Sequence, residues 1–193
     1  MYYHEHHDVI ERIDVSPSED NLQSANGNIG DGTMYGASLN ATMRMTYLGL
    51  PNLLVTSNLS VADSEITDPF LGIERRFSQF GRGRWSLSFR HDIPQWNFNW
   101  GGSWNNRFDH NQFTYDIDDY IATLGEPSVS VFAQYITDSG VSIRFDARDA
   151  TSNLQCRERR RFVGRISANI LEEIEDRCWT RGTVMSLKVS SSF

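Results

Sequence analysis

The feature that most constrains this chain is a period of two. In Val141–Arg148, Val141, Ile143, Phe145 and Ala147 fall on one side, and Ser142, Arg144, Asp146 and Arg148 on the other. Successive side chains of a strand point to opposite faces, so the pattern is that of a strand with one apolar and one polar face. It recurs in Met34–Leu48, Leu53–Ala62, Arg84–Ile93, Trp96–Asn105, Ser128–Ile136 and Met185–Phe193. The apolar faces assigned this way carry no Asp, Glu, Lys or Arg. The polar faces are mostly Ser, Asn and Thr, with Arg44, Arg90, Asp92, Arg144, Asp146, Arg148 and Lys188 among them. An Arg or Lys facing lipid at mid-bilayer costs about 2–4 kcal/mol, which is a physical reason for so strict an exclusion. A wet lumen accounts for the small polar residues opposite.

The links between these segments alternate in length. Gly49–Asn52, Pro94–Gln95 and Thr137–Gly140 are short. Ser16–Thr33, Glu65–Gly83, Arg107–Pro127 and Thr151–Gly182 are long. Short turns at one end and long loops at the other mark an up-and-down transmembrane β-barrel, with periplasmic turns and extracellular loops. A weaker strand, Tyr2–Val15, precedes the others and brings the count to eight. The expectation is therefore an all-β, antiparallel, up-and-down transmembrane barrel segment. Mean hydropathy is −0.47, and no run of 18 apolar residues marks a membrane helix. Alternation hides a barrel strand from any such average. Trp85, Trp96, Trp100, Trp104, Tyr47 and Tyr135 are expected near strand ends, where aromatic rings favour the headgroup layer.

Charge and chemistry exclude other classes. The net charge is −7, and the one basic run, Arg157–Arg161, reads as a solvated loop, so no nucleic acid is expected. Asp116, Asp118 and Asp119, and Glu172, Glu173, Glu175 and Asp176, also read as solvated loops, without the spacing of a calcium site. His4 and His6 share a strand face, but a metal site there is disfavoured. No nucleophile elbow or phosphate-cradling glycine motif occurs, so neither an enzyme nor a cofactor is expected. Cys156 and Cys178 lie within the last long connection, on its rising and falling sides, open to a disulfide or to two free thiols. Arg44, Arg90, Arg144, Asp146, Arg148 and Lys188 are the lumen-facing candidates, either steering an anionic solute or pairing across strands.

Gly27–Gly36 (GNIGDGTMYG), Asp63–Gly72 (DSEITDPFLG), Glu74–Ser78 (ERRFS), Ile93–Gly101 (IPQWNFNWG) and the closing GTVMSLKVSSSF resemble late-strand segments of TonB-dependent outer-membrane receptors. The likeness runs over essentially the whole of residues 1–193. It implies the C-terminal part of a 22-stranded barrel, with the plug and signal peptide expected to be missing here. It implies energised uptake of a scarce solute such as an iron chelate, a vitamin or a glycan, in the outer membrane of a Gram-negative bacterium. The implied partners are outer-membrane lipid, the barrel-assembly machinery reading Phe193, and TonB through the missing N-terminal region only. Ser191 departs from the apolar residue expected two positions before that terminal aromatic. The competing expectations are a small self-closing eight-stranded barrel acting as anchor or adhesin, and a soluble β-sandwich binding module.

Overall fold

The computed structural model describes residues 1–107 and 112–191. In chain order the strands are β1 (Tyr2–His6), β2 (Ile10–Asp14), β3 (Ser24–Asn28), β4 (Gly32–Met45), β5 (Leu50–Asp68), β6 (Ile73–Arg75), β7 (Gly83–Ile93) and β8 (Phe98–Asn106). They continue with β9 (Gln112–Tyr115), β10 (Asp119–Gly125), β11 (Ser128–Ile136), β12 (Val141–Arg148), β13 (Leu154–Phe162), β14 (Leu171–Thr180) and β15 (Val184–Ser191). All pairings are antiparallel. The fold is all-β.

Eight strands form one wide meander in the order β1-β4-β5-β7-β8-β11-β12-β15, with β6 added beside β5. Tight turns join its strands at one end because three residues there adopt geometries that close a chain reversal. Thr46–Leu48 form a 3-10 turn closed by Gly49 at φ 73°. Pro94–Trp96 form another, closed by Asn97 at φ 47°. Gly140, at φ 81°, closes the third. Left-handed backbone suits Gly, and Asn tolerates it better than most residues. At the opposite end the chain makes long excursions, and these carry strands of their own. One is the hairpin β2-β3; another is a four-stranded sheet in the order β14-β13-β10-β9.

Several sequence expectations are corrected here. Tyr2–Val15 is not one strand: Asp8, at φ 55°, breaks it, so β1 joins the meander while β2 pairs with β3. The first turn lies at Thr46–Gly49 rather than Gly49–Asn52, and Trp96 sits in a turn rather than in a strand. The long connections are not plain loops. Arg157–Arg161 is the middle of β13, flanked on both sides by paired strands. Glu172, Glu173, Glu175 and Asp176 lie along the edge strand β14. Asp119 is buried and receives the Arg159 guanidinium at 2.6 Å. Period-two alternation fails as a signal in these segments because charged residues on both faces satisfy each other across strands. Arg161 with Glu173 is one such pair.

The packed core lies almost wholly among these excursions. Leu71, Phe162 and Ile166 form its centre, with Ile73, Tyr115 and Tyr120 against them. Ile29 and Ile66 are also almost fully buried. Beside this cluster sits an ion network. Arg75 places Nη2 2.6 Å from Asp68 and Nη1 2.7 Å from Glu11, with its side chain only 2% exposed. The contact to Glu11 is one of charge, without hydrogen-bond alignment. Asp68 also accepts the amides of Phe70 and Leu71, and Arg75 lies over the Tyr115 ring at 4.6 Å. One side chain thus ties β2, the β5-β6 corner and β9 together.

Two further contacts hold the β2-β3 hairpin and depend on pH. Arg12 reaches Asp116 at 3.2 Å, and Arg165 reaches Asp14 at 2.6 Å. Burial pulls the Asp116 carboxyl upward, but the Ser24 hydroxyl, the Ile117 amide and Arg12 outweigh it, so its pKa lies below the usual carboxylate range. Asp14 is likewise lowered: hydrogen bonds from Ser16 and the charge of Arg165 overcome its burial. A depressed carboxylate pKa stabilises the fold above the unfolded value, near pH 4, and that contribution is lost as pH falls through the folded value. Amide exchange across residues 10–28 should therefore accelerate below about pH 4 beyond its intrinsic change. Protection there that is the same at pH 3 as at pH 6 would contradict this account.

Cys156 and Cys178 are disulfide-bonded across directly paired positions of β13 and β14. Every residue of β14 is exposed, so burial does little to hold this edge. Closing a loop with 22 residues of separation contributes about 3 kcal/mol in the chain-entropy model. Reduction should release β14 while β10 and β13 stay paired. Exchange measured over 171–180 with and without reductant checks this; unchanged protection after complete reduction would show that the bond is dispensable for the edge.

Candidate functional site

The meander has two chemically distinct faces, and the strand register fixes both. One row on the first face runs Met43, Val55, Phe89, Gly102, Val131, Ala147, Met185. The next runs Leu53, His91, Trp100, Ala133, Phe145, Leu187. From β4 through β15, between the Leu39 row and the Val189 row, no Asp, Glu, Lys or Arg occurs on this face among the described residues. Its polar members are few, and one of them, Ser57, accepts the Trp85 indole N–H at 3.0 Å. Among the described residues nothing packs over the face. Leu187 is 68% exposed, Val189 65% and Leu39 64%. The apolar side of the widest sheet is thus bare, while the core lies elsewhere, the inverse of a sandwich or of any sheet that buries one face.

The aromatic residues fall into place along this face. Tyr47, Trp96 and Tyr135 cluster at the tight-turn end. Trp85 and Trp104 stack edge-to-face at 5.1 Å toward the other end. Trp100, the third residue of β8, packs against Phe89 at 5.0 Å.

The opposite face is polar. Ser38 with Ser60, Thr42 with Thr56, and Asn58 with Ser86 are hydrogen-bonded across strands. All six lumen-facing candidates lie on it. One row places Arg44, Leu54, Arg90, Gly101, Phe132, Asp146 and Ser186 in line. The neighbouring row brings Gln134, Arg144 and Lys188 together. Arg144 makes a forked contact to Asp146 at 2.8 Å, Lys188 approaches the same carboxylate at 3.6 Å, and Arg90 pairs with Asp92 at 2.9 Å. The Arg144 guanidinium stacks on Phe132 at 4.0 Å, a cation–π contact worth about 0.5–1 kcal/mol where exposed.

Arg90, Arg144, Asp146 and Arg148 line a cavity of about 420 Å³ with Leu54 and Phe132. Arg44 and Lys188 stand outside it. Leu54 and Phe132 were not identifiable beforehand, because each interrupts the polar alternation of its strand and only the register shows that they share a row. Gly101 sits between Arg90 and Phe132, and a Cβ there would lie 2.7 Å from the Phe132 ring. The absence of a side chain at Gly101 lets that ring lie flat for Arg144.

His4 and His6 share the polar face at the β1 edge, with ring centroids 6.2 Å apart, and His6 meets Phe77 edge-to-face. Among the described residues no group of three His, Cys, Asp or Glu is placed to hold a metal. Phe193 lies outside the described residues. Compared with protein-family models, curated proteins and solved structures, the chain has no match.

Proposed function

We propose that this chain is barrel wall and extracellular loops of an outer-membrane TonB-dependent receptor, taking part in energised uptake of a scarce solute. The observation that carries the reading is the bare, charge-free apolar face of the meander. In water such a face is a large unburied apolar patch, whereas in lipid it is the buried side. Three central strands agree: β7 has 11 residues, and β8 and β11 have 9 each, against the 9–11 that a tilted strand needs to cross a bilayer; β4 and β5 run longer, and β12 and β15 have 8 each. The tight turns then face the periplasm, and the four-stranded sheet and the β2-β3 hairpin stand outside the cell. The disulfide suits that oxidising side. The contact of such a receptor with TonB is expected through its N-terminal region.

The meander is open among the described residues: β1 pairs only β4, and β15 pairs only β12. An open edge in lipid leaves unpaired backbone groups costing several kcal/mol each. This weighs against a small self-closing barrel and favours a wider one, of 22 strands in this family, in which further strands pair both edges. Among the described residues no second sheet covers the apolar face, which weighs against a soluble sandwich.

The test is the chain's behaviour in detergent. It should be monodisperse only in micelles. In single-Trp variants a brominated detergent should quench Trp85, Trp100 and Trp104 but not Trp179, which lies on β14. A folded monomer in plain buffer, with no quenching, would overturn the proposal.

A further inference from the structure

A second cavity, of about 650 Å³, lies where the polar face of the meander meets the four-stranded sheet. Arg84, Arg107, Arg148 and Arg181 line it. Most arginines of this protein have a carboxylate, as Arg12, Arg75, Arg90, Arg144, Arg159 and Arg165 do. These four have none among the described residues. The carboxylate nearest Arg148 along its strand, Asp146, is already taken by Arg144 and Lys188. The cavity holds two acidic side chains, Glu126 and Asp149. Both are engaged by backbone amides: Glu126 accepts from Leu154, and Asp149 from Asn153. Four guanidinium groups therefore share the cavity with two carboxylates, a local excess of positive charge in a chain whose net charge is −7.

Repulsion among gathered cations costs free energy unless an anion offsets it. Guanidinium is also the side chain best suited to bind carboxylate or phosphate in a fork. The spacing restricts the ligand. Arg84 lies on β7 and Arg148 on β12, with β8 and β11 between them. Register places Arg148 level with Ser88, four residues along β7 from Arg84; three strand spacings of roughly 14 Å and an offset of roughly 13 Å leave the two backbones roughly 19 Å apart, so only a ligand with separated anionic groups reaches both. Arg107 follows β8 on the first side, and Arg181 precedes β15 on the second.

We infer that this cavity binds a small solute bearing two or more separated anionic groups, carboxylates or phosphates, clasped between Arg84 and Arg107 on one side and Arg148 and Arg181 on the other. As a solute class for the proposed receptor, the inference rests on that reading; the binding itself does not. The site opens on the polar face, so the ligand is a dissolved solute rather than a phosphate-bearing lipid.

The experiment is calorimetric titration of the full chain, in micelles or in plain buffer if it is soluble there. The probes are tripolyphosphate and citrate, with acetate and orthophosphate as small single-group controls. Either multivalent probe should bind saturably, at least tenfold more tightly than its control. Arg84→Gln and Arg148→Gln should each weaken binding at least tenfold, with the circular dichroism spectrum and the disulfide retained. Arg177→Gln, on β14 outside the cavity, should leave it unchanged. No saturable binding by folded protein, equal weakening by Arg177→Gln, or preference for micelle-embedded diphosphoryl lipid A over tripolyphosphate would each overturn the inference. Binding retained by a chain that needs no detergent would uphold the site while removing the membrane reading.

Discussion

Arg75→Met should destabilise the packed region between the long connections by about 3–5 kcal/mol, the largest effect expected of any single substitution here. The reason is what it leaves behind. Asp68 is fully buried and the Glu11 side chain is 10% exposed, so removing the guanidinium strands two carboxylates away from water. It also removes the cation lying over Tyr115. The effect is read as accelerated amide exchange at Leu71, Ile117 and Phe162, which lie in or beside that core. The triple variant Arg75→Met, Asp68→Asn, Glu11→Gln should recover much of the loss. Neutral amides carry no uncompensated charge, and the side-chain carbonyl that Asp68→Asn retains still accepts from the amides of Phe70 and Leu71. A single variant that costs less than about 1 kcal/mol, or a triple variant no better than the single, would show that the network is not what joins these elements.

The second large effect separates lipid from water. Met43 and Thr42 are neighbours on β4 and point to opposite faces, and both are exposed. In water, arginine at either position is close to neutral, since surface substitutions usually change stability by no more than about 0.5 kcal/mol. In a bilayer, Met43→Arg should cost about 2–4 kcal/mol, because its row runs through the middle of the apolar band. Thr42→Arg should cost little, since it adds to a polar face that already carries Arg44. Folding yield and urea midpoint in lipid vesicles measure both, with the remaining strands supplied if insertion requires them. Equal costs at the two positions would remove the lipid assignment of the apolar face.

Some of this was legible in the sequence, and the reason is local. Alternation over Val141–Arg148 or Arg84–Ile93 reports the two faces directly, because a strand's geometry fixes which residues share a side. The three tight turns were visible for the same kind of reason: Gly49, Pro94 and Gly140 signal chain reversal through their own backbone preferences, although Asn97, which closes the second, reads as a strand residue. The turn at Gly49 was displaced by a few residues, since Thr46–Leu48 has no such signature.

The long connections were opaque. Nothing in Arg157–Arg161 announces a strand, because its charges are neutralised by residues distant in sequence: Asp119 for Arg159 and Glu173 for Arg161. Arg75 was one residue in a quoted motif, without a role. Its partners are Asp68, seven residues earlier, and Glu11, on another hairpin.

What the sequence determined by itself was therefore the strand-forming periodicity, the segregation of charge to one face, and the all-β antiparallel class. What only the tertiary structure decided was register and convergence. Register placed Leu54 and Phe132 in the row of Arg90 and Asp146. Convergence brought Arg84, Arg107, Arg148 and Arg181 around one cavity, where among the described residues none of them forms a salt bridge. The physical reason is range. Backbone geometry and side-chain alternation act between neighbours and are written in consecutive residues, whereas the pairing of charges is settled by whichever distant strands the fold brings within a few ångströms.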